Sequence, residues 1–252
     1  MIGIQGLRKS YGRTVVVDDV TLEIPAGGVT SIIGPNGAGK STLLGMISRL
    51  LPADAGSVLL DGLDVATAPS DEIARRMAIL RQDNHLAVRL TVRDLVGFGR
   101  YPWSKGRPTV ADRAHIERAI SYADLDGLAD RFLDELSGGQ RQRAFVAMVL
   151  CQDTEYVLLD EPLNNLDMKH AVSMMRRLRR AADELGRTVV LVLHDINFAS
   201  CYSDRIIAMR DGAVVHQGPP EQIMSEPVLE EVYDMDVRIE EVGGHRIGVY
   251  FT

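Results

Sequence analysis

The 252-residue chain has little cysteine, and its two cysteines, Cys151 and Cys201, lie far apart. They form no C-x-x-C or other metal-binding pattern, which favours a protein of a reducing compartment. The chain also lacks any apolar run near the ~20 residues that a membrane-spanning helix needs. Residues 1–7 lack the basic and long apolar regions of a signal peptide. If the protein serves a membrane, we therefore expect it to do so through a partner.

Long runs of lysine and arginine are missing too, and the formal net charge is −7 at pH 7. A general nucleic-acid binder gains its affinity by neutralising phosphates, so this acidic balance argues against a nucleic-acid partner. The content of 46% apolar and 25% charged residues is ordinary for a globular protein. A chain of this length can bury a full α/β core and still carry one inserted subdomain.

What the sequence does contain is a glycine-rich phosphate-binding loop, the P-loop, of the form G-x-x-x-x-G-K-[ST]. Its residues, with the threonine that follows, are Gly34, Pro35, Asn36, Gly37, Ala38, Gly39, Lys40, Ser41 and Thr42. The glycines let backbone N–H groups approach phosphate oxygens, Lys40 adds a positive charge, and Ser41 can ligate Mg²⁺. A β-branched run at residues 29–33 and a helical pattern after the motif supply its strand–loop–helix setting. The motif predicts nucleotide binding.

A second stretch that could hold an anion is Leu136-Ser137-Gly138-Gly139-Gln140, which precedes a long apolar helix. Ser137 is a good N-cap, so the stretch can also be interpreted as an ordinary helix start. Each of the two glycines, however, costs about 1 kcal/mol of helix propensity. They leave the first N–H groups of the helix uncovered, which favours the approach of an anion to the backbone.

Two adjacent carboxylates lie at the C-terminal end of an apolar strand predicted within residues 156–162, and in open α/β sheets ligands bind at this end of the strands. Asp160 is suited to hold Mg²⁺ through water, and Glu161 can orient or deprotonate an attacking water. Paired carboxylates also occur in ordinary loops. The P-loop upstream favours the hydrolytic interpretation.

Three further side chains could serve a nucleotide site or could be structural. His194 follows a buried-type strand at residues 188–193, where it could contact a γ-phosphate. Gln82 ends the strand predicted at residues 77–80, so its amide could reach a metal-bound water or lie in a solvated loop. Tyr11 lies between the first two strands, where it could stack on a base or pack against the sheet.

The remaining pattern predicts an α/β fold in which an antiparallel β part precedes the P-loop. Residues 2–24 alternate as strand material, whereas the pattern becomes helical after residue 84. We interpret residues 84–151, with the second anion cradle, as a helical subdomain inserted into a core formed by residues 1–83 and 152–252. The whole chain is then one domain.

Finer expectations concern particular segments. Thr91-x-x-Asp94 and Thr109-x-x-Asp112 are capping-box-like helix starts. Residues 99–108 are expected to form a rigid exposed loop, and residues 219–252 short helices and a terminal strand without recognisable chemistry. An arginine cluster is expected to form a solvated helix face and consists of Arg176, Arg177, Arg179 and Arg180.

Together these pieces resemble the ATP-binding subunits of ABC transporters over nearly the whole chain. The resemblance is carried by the P-loop, the signature at residues 136–140, the Walker B strand that ends at Asp160-Glu161, and His194. It implies a P-loop NTPase core with an N-terminal antiparallel β subdomain and an inserted α-helical subdomain. It also implies ATP and Mg²⁺ as cofactors and ATP hydrolysis as the activity.

The resemblance implies a role for each candidate residue. Tyr11 would stack on adenine, and Gln82 would sense Mg²⁺ and the membrane partner. Glu161 would be the catalytic base and His194 the γ-phosphate switch, while Asp167 would lie in a loop at the dimer contact. Two copies would pack head to tail, so that the signature of one copy caps the γ-phosphate held by the P-loop of the other.

At a finer level the chain is similar to importers of iron–siderophore complexes, especially of catecholate types, in residues 99–103, 163–170 and 246–251. This implies membrane permease subunits as partners and, indirectly, an extracytoplasmic substrate-binding protein. The chain would be peripheral on the cytoplasmic face of the inner membrane. It departs from the commonest ABC pattern at Asn164-Asn165, where a small residue often lies.

Other functions share parts of this pattern. An ABC importer of heme or cobalamin has the same motifs, and so has a non-transport ABC ATPase that acts on nucleic acid. Such DNA-repair heads need a very long coiled-coil insertion, and the stretch between Ser41 and Leu136 is too short for one. ABC proteins that act on ribosomes need two such cassettes in one chain.

Overall fold

The computed structural model describes residues 1–82 and 88–250. Its strands are, in chain order, β1 (Ile2–Tyr11), β2 (Thr14–Ile24), β3 (Val29–Ile33), β4 (Ala55–Leu60), β5 (Leu63–Asp64), β6 (Met77–Leu80), β7 (Tyr156–Asp160), β8 (Thr188–Val192), β9 (Arg205–Arg210), β10 (Ala213–Gly218), β11 (Arg238–Val242) and β12 (His245–Val249). Its helices are α1 (Lys40–Ile47), α2 (Ser70–Arg76), α3 (Val92–Phe98), α4 (Tyr101–Ser104), α5 (Val110–Tyr122), α6 (Gly138–Cys151), α7 (Met168–Leu185), α8 (Ile196–Tyr202), α9 (Pro220–Ile223) and α10 (Glu226–Tyr233).

A six-stranded sheet of order β10-β9-β3-β8-β7-β6 lies at the centre of the fold. All neighbouring strands in it are parallel except β10, which pairs with β9 in the antiparallel direction. Strands β3, β7 and β8 are buried at every position because layers cover both faces of the sheet, which explains why β7 and β8 are almost entirely apolar. The carboxyl ends of β3, β6, β7 and β8 bring the P-loop, Gln82, Asp160 and His194 to one edge of the sheet.

The N-terminal strands form a second, antiparallel sheet of order β2-β1-β4-β5. Its inward side chains, such as Ile2 and Ile4, share one apolar cluster with Leu43 of α1 and with Leu158 and Val190 of the central sheet. Period-2 alternation therefore buries one face of this sheet against the P-loop helix. The predicted α/β fold with an N-terminal antiparallel part is confirmed.

Helices α3, α5 and α6 lie between β6 and β7 in the sequence. They pack against one another around side chains such as Val96, Ile120 and Phe145. The predicted helical insertion is therefore present. Its proposed start at residue 84 lies outside the described residues, so the division into residues 1–83, 84–151 and 152–252 stays a prediction. In residues 1–82 and 88–250, no helix has the length and apolarity needed to cross a bilayer.

The prediction of an exposed loop at residues 99–108 is wrong in its first half. Residues Tyr101–Ser104 form α4, and Arg100 is buried, with 6% of its surface exposed. The Arg100 guanidinium donates to a carboxylate oxygen of Asp112 and to the carbonyl oxygen of Cys151 at the end of α6. Trp103 Nε1 donates to the carbonyl oxygen of Gln152 at 2.8 Å. These contacts join residues distant in sequence, so local pattern does not reveal them.

The prediction of a solvated arginine face on α7 is also wrong for Arg177 and Arg179. Arg177 contacts Asp124 and the carbonyl oxygen of Tyr122, and Arg179 Nη1 lies 2.6 Å from Asp204 Oδ2. Both arginines therefore tie α7 to neighbouring segments. In the C-terminal tail, the predicted short helices and terminal strand are present, although residues 251–252 lie outside the described chain.

Both predicted capping boxes form, but they differ in their surroundings. Asp94 caps α3 and is exposed. Asp112 caps α5 and also accepts a hydrogen bond from Arg100 at 2.9 Å, and the side chains of Arg100 and Asp112 are each 7% exposed. We expect Asp112→Ala to lower the free energy of unfolding by about 3 kcal/mol, because it leaves a buried charge unpaired. The matched change Asp94→Ala should cost about 1 kcal/mol. Urea unfolding measures both, and equal losses would contradict the ion-pair argument.

This ion pair also predicts a pH dependence. Hydrogen bonds from Thr109 and Arg100 lower the pKa of Asp112 from 3.8 to about 2. Because the pKa is lower in the folded than in the unfolded state, the stability from Asp112 is present above pH 3.8 and is lost as the pH falls through about 2. Asp112→Ala should therefore flatten the dependence of unfolding free energy on pH in this window.

Candidate functional site

The P-loop leaves β3 at Ile33 and enters α1 at Lys40 with backbone conformations that need glycine. Gly34 has a φ of 144°, and a Cβ there would lie 2.1 Å from the carbonyl oxygen of Met209. Gly39 has a φ of 94°, and a Cβ there would lie 2.4 Å from the carbonyl oxygen of Val16. The loop therefore lies directly against the backbones of β9 and β2, which fix its path.

Lys40 is the first residue of α1 and is buried, with 5% of its surface exposed. Its ammonium donates to the carbonyl oxygens of Gly34 and Pro35, at 2.8 Å each. Burial lowers the pKa of Lys40, and the carboxylates of Glu161 and Asp160 act in the opposite direction. The lysine charge is thus held within the loop, close enough to the carboxylates to interact with them.

The first carboxylate, Asp160, ends β7 and accepts a hydrogen bond from Ser41 Oγ at 2.9 Å. Burial raises the pKa of Asp160, and the Ser41 hydroxyl opposes that shift. Mg²⁺ prefers oxygen ligands and commonly takes one or two carboxylates together with phosphates and water. The Ser41 and Asp160 oxygens fit this donor set. Among the described residues, no group of three His, Cys, Asp or Glu could hold a metal by itself.

The second carboxylate, Glu161, is the centre of a cluster at the ends of β6, β7 and β8. It is 8% exposed and has a φ of 50°, and its N–H donates to the carbonyl oxygen of Val192. Oε2 accepts from Gln82 Nε2 at 2.7 Å and from Asn164 Nδ2 at 2.6 Å. His194 Nε2 lies 2.6 Å from Oε1. Both carboxylate oxygens are therefore oriented by side chains from three separate segments.

From the sequence, Gln82 and His194 could have had either a functional or a purely structural role. In the structure both side chains contact the Glu161 carboxylate. Asn164 is a residue that sequence reasoning noticed only as a departure from the usual pattern. Its position three residues after Glu161, in the turn that follows β7, could have indicated that its amide turns back to the carboxylate.

A cavity of about 280 Å³ lies beside α1, where the P-loop ends at Ser41 and β7 ends at Asp160. Ser41, Thr42, Gln82 and Asp160 line it, and no residue of the signature does. In the signature, Ser137 and Gln140 form a reciprocal capping box at the start of α6. The predicted N-cap is confirmed, and this copy of the signature does not complete the cavity.

Two other candidates lie at the surface of the chain. Tyr11 ends β1, is 51% exposed, and has the Lys9 ammonium 5.8 Å from its ring centroid. Its hairpin partner β2 contacts the P-loop through Val16. Asp167 is the N-cap of α7 and accepts from the His170 N–H at 2.8 Å. Both side chains are open to contact by another molecule.

The C-terminal tail, in which the sequence indicated no recognisable chemistry, reaches the site. Tyr233, the last residue of α10, accepts a hydrogen bond at its Oη from the N–H of Gly34, 3.1 Å away. A contact across so many residues leaves no local signal in sequence.

Comparison with known proteins agrees with this geometry. The ABC transporter family profile matches residues 17–164. The chain is 52% identical to the petrobactin import ATP-binding protein YclP of Bacillus subtilis, over 100% of both chains, and 54% identical to FatE of Bacillus anthracis, a protein of the same description, over 95% of this chain and 96% of FatE. It is also similar to the dimeric structure of the ATP-binding cassette MJ0796 bound to ADP and Pi, with 30% identity, a TM-score of 0.79, and coverage of 87% of this chain and 99% of that one.

The predicted P-loop NTPase fold and the predicted resemblance to siderophore-import ATP-binding subunits are thereby confirmed. The matched profile spans more than half of the sequence and includes the P-loop, the signature and both carboxylates. The chain therefore belongs to the ABC transporter family.

Proposed function

We propose that this chain is the ATP-hydrolysing subunit of an importer that takes up an iron(III)–siderophore complex through a separate membrane permease. The proposal rests on the convergence of four side chains beside Ser41 of the P-loop, namely Gln82, Asp160, Glu161 and His194. YclP and FatE, both more than 50% identical to this chain, support the substrate class, since both are described as petrobactin import proteins.

In this proposal the P-loop backbone and Lys40 hold the β- and γ-phosphates of ATP, and Tyr11 stacks on the adenine. Ser41 and Asp160 hold Mg²⁺, which when bound neutralises phosphate charge. Gln82 lines the same cavity, so it can respond to the ion as well as to Glu161.

Glu161 is proposed to accept the proton of the attacking water. Its position suits this role, because Gln82 and Asn164 hold one oxygen and His194 lies at the other. Exchange of the His194 contact for one to the γ-phosphate would free Oε1 for the water. His194 would in this way report whether the γ-phosphate is present.

A second copy of the chain is proposed to complete the site. The Ser137–Gln140 turn of one copy, at the start of the 14-residue helix α6, would cap the γ-phosphate bound by the other copy. Asp167, exposed at the start of α7, would lie at the contact between the copies. The cavity of a single chain contains no signature residue, which supports this head-to-tail arrangement.

The remaining partners follow from the importer function. Membrane permease subunits would anchor the chain on the cytoplasmic face of the inner membrane, and an extracytoplasmic binding protein would deliver the iron chelate. The chelate would not touch this chain, so its residues do not select between a siderophore, heme and cobalamin. The named relatives are what favour a siderophore.

Uptake of radiolabelled iron tests the proposal. In a strain that lacks this chain, we expect loss of iron uptake from ferric petrobactin, restoration by the wild-type chain, and no restoration by Glu161→Gln. Glu184→Gln, an exposed glutamate paired with Arg180 on α7, is the matched control and should restore uptake. Undiminished petrobactin uptake, with loss of heme or cobalamin uptake instead, would reject the siderophore assignment.

A further inference from the structure

The C-terminal segment, residues 219–250, contacts the nucleotide site at two places. Through Tyr233 it contacts Gly34, the first residue of the P-loop. Through β12 it packs on α8, the helix that begins directly after His194-Asp195. The same segment therefore touches the P-loop and the helix that follows His194.

The position of Tyr233 is fixed by the packing of its helix. Leu229 and Val232 of α10 are fully buried in the main apolar core. At the helix end, the Glu231 carboxylate lies 2.8 Å from His216 Nε2 on β10, and Arg210 of β9 donates to the Glu231 carbonyl oxygen. The phenol is consequently presented to the P-loop by a helix anchored on the β9–β10 hairpin.

On the P-loop side, Gly34 lies between two contacts. Its Cα faces the carbonyl oxygen of Met209 so closely that a Cβ would not fit, and its N–H donates to Tyr233. Burial raises the pKa of Tyr233, so the phenol stays neutral at physiological pH. Loss of this hydroxyl would leave the Gly34 N–H, in a partly buried position, without its partner.

The contact between β12 and α8 is made by the side-chain amide of Asn197 and the backbone of Gly248. Asn197 Oδ1 accepts from the Gly248 N–H at 2.8 Å, and Asn197 Nδ2 donates to the Gly248 carbonyl oxygen at 3.2 Å. Ser200 Oγ donates to the carbonyl oxygen of Arg246 at 2.6 Å. These bonds attach β12 to α8, the helix that begins two residues after His194.

We propose that Tyr233 is a positioning residue for the P-loop, and that residues 219–250 brace this loop against the His194 segment. The Tyr233 hydroxyl sets the direction of the first P-loop peptide, and thereby the orientation of the later N–H groups toward the phosphates. A pre-oriented loop binds more tightly because less ordering remains to be done on binding. This inference rests on the proposed ATPase function.

The test is Tyr233→Phe in the full chain, which keeps the ring and removes only the hydroxyl. Loss of one such hydrogen bond should raise the Kd and KM for ATP about fivefold, with kcat within about twofold of wild type. Tyr156→Phe is the matched control, since it removes a buried phenol that donates to Asp61 at 2.7 Å, at the opposite end of β7. It should leave Kd and KM unchanged.

Fluorescent-ATP titration, steady-state ATPase assays and thermal melts of the three proteins give the readouts. A rise in KM and Kd in Tyr233→Phe alone supports the positioning role. Unchanged nucleotide affinity, or an equal rise in Tyr156→Phe, overturns it, whatever the change in Tm. Absence of ATP binding by the wild-type chain would instead reject the proposed function.

Discussion

Glu161→Gln is expected to lower the ATP turnover rate by at least about a thousandfold while leaving ATP affinity near the wild-type value. Glutamine keeps the size and hydrogen-bonding reach of the side chain but cannot accept the proton of the attacking water. Gln82, Asn164 and His194 surround this carboxylate, so the change removes a base without opening a cavity. Bound ATP then persists, and the head-to-tail dimer should accumulate.

Single-turnover hydrolysis, ATP titration and size-exclusion chromatography with ATP measure these effects. Glu184→Gln on the outer face of α7 makes the same chemical change at an exposed position and should behave like wild type in all three. Full ATPase activity in Glu161→Gln would refute the assignment of the base. A strictly monomeric Glu161→Gln protein with ATP and its permease present would refute the composite site.

Lys40→Ala is expected to weaken ATP binding by about a hundredfold. A charge-assisted contact to phosphate contributes about 1.5–3 kcal/mol, and a tenfold change in affinity corresponds to about 1.4 kcal/mol. The lysine also donates to the Gly34 and Pro35 carbonyl oxygens, so its loss releases the start of the P-loop. Lys40→Arg should not rescue affinity, because a planar guanidinium does not fit the position of a buried ammonium.

Lys105→Ala is the control for loss of one positive charge. Lys105 is exposed and pairs only with the surface carboxylate Asp71 among the ion pairs of the described residues, so its removal should leave ATP affinity unchanged. Calorimetric titration with ATP distinguishes the two variants. An unaltered Kd in Lys40→Ala would count against nucleotide binding by the P-loop.

Much of this molecule follows from local pattern. Thr188–Val192 is apolar at every position except its first and forms a strand covered on both faces. The glycines of the P-loop predict a tight turn between strand and helix. Ser137 predicts a cap because a capping hydrogen bond spans only a few residues. Each of these features depends on neighbours in the chain, so spacing and residue type suffice to find it.

Other features depend on contacts between distant segments. The burial of Arg100 against Asp112, the attachment of Arg177 and Arg179 to neighbouring elements, and the contact of Tyr233 with Gly34 all join residues far apart in the chain. Residue type alone favours a solvated surface for an arginine. The expectation failed where a partner carboxylate or carbonyl was supplied by another element.

The sequence by itself therefore determined the strand–loop–helix around Lys40, the two carboxylates at the end of β7 and the family, because phosphate-binding motifs are short and their geometry is local. Only the tertiary structure decided which side chains orient Glu161 and how the C-terminal tail meets the P-loop. Those arrangements arise where parallel strands end at one sheet edge, and the packing of the core, not the spacing along the chain, sets which residues meet there.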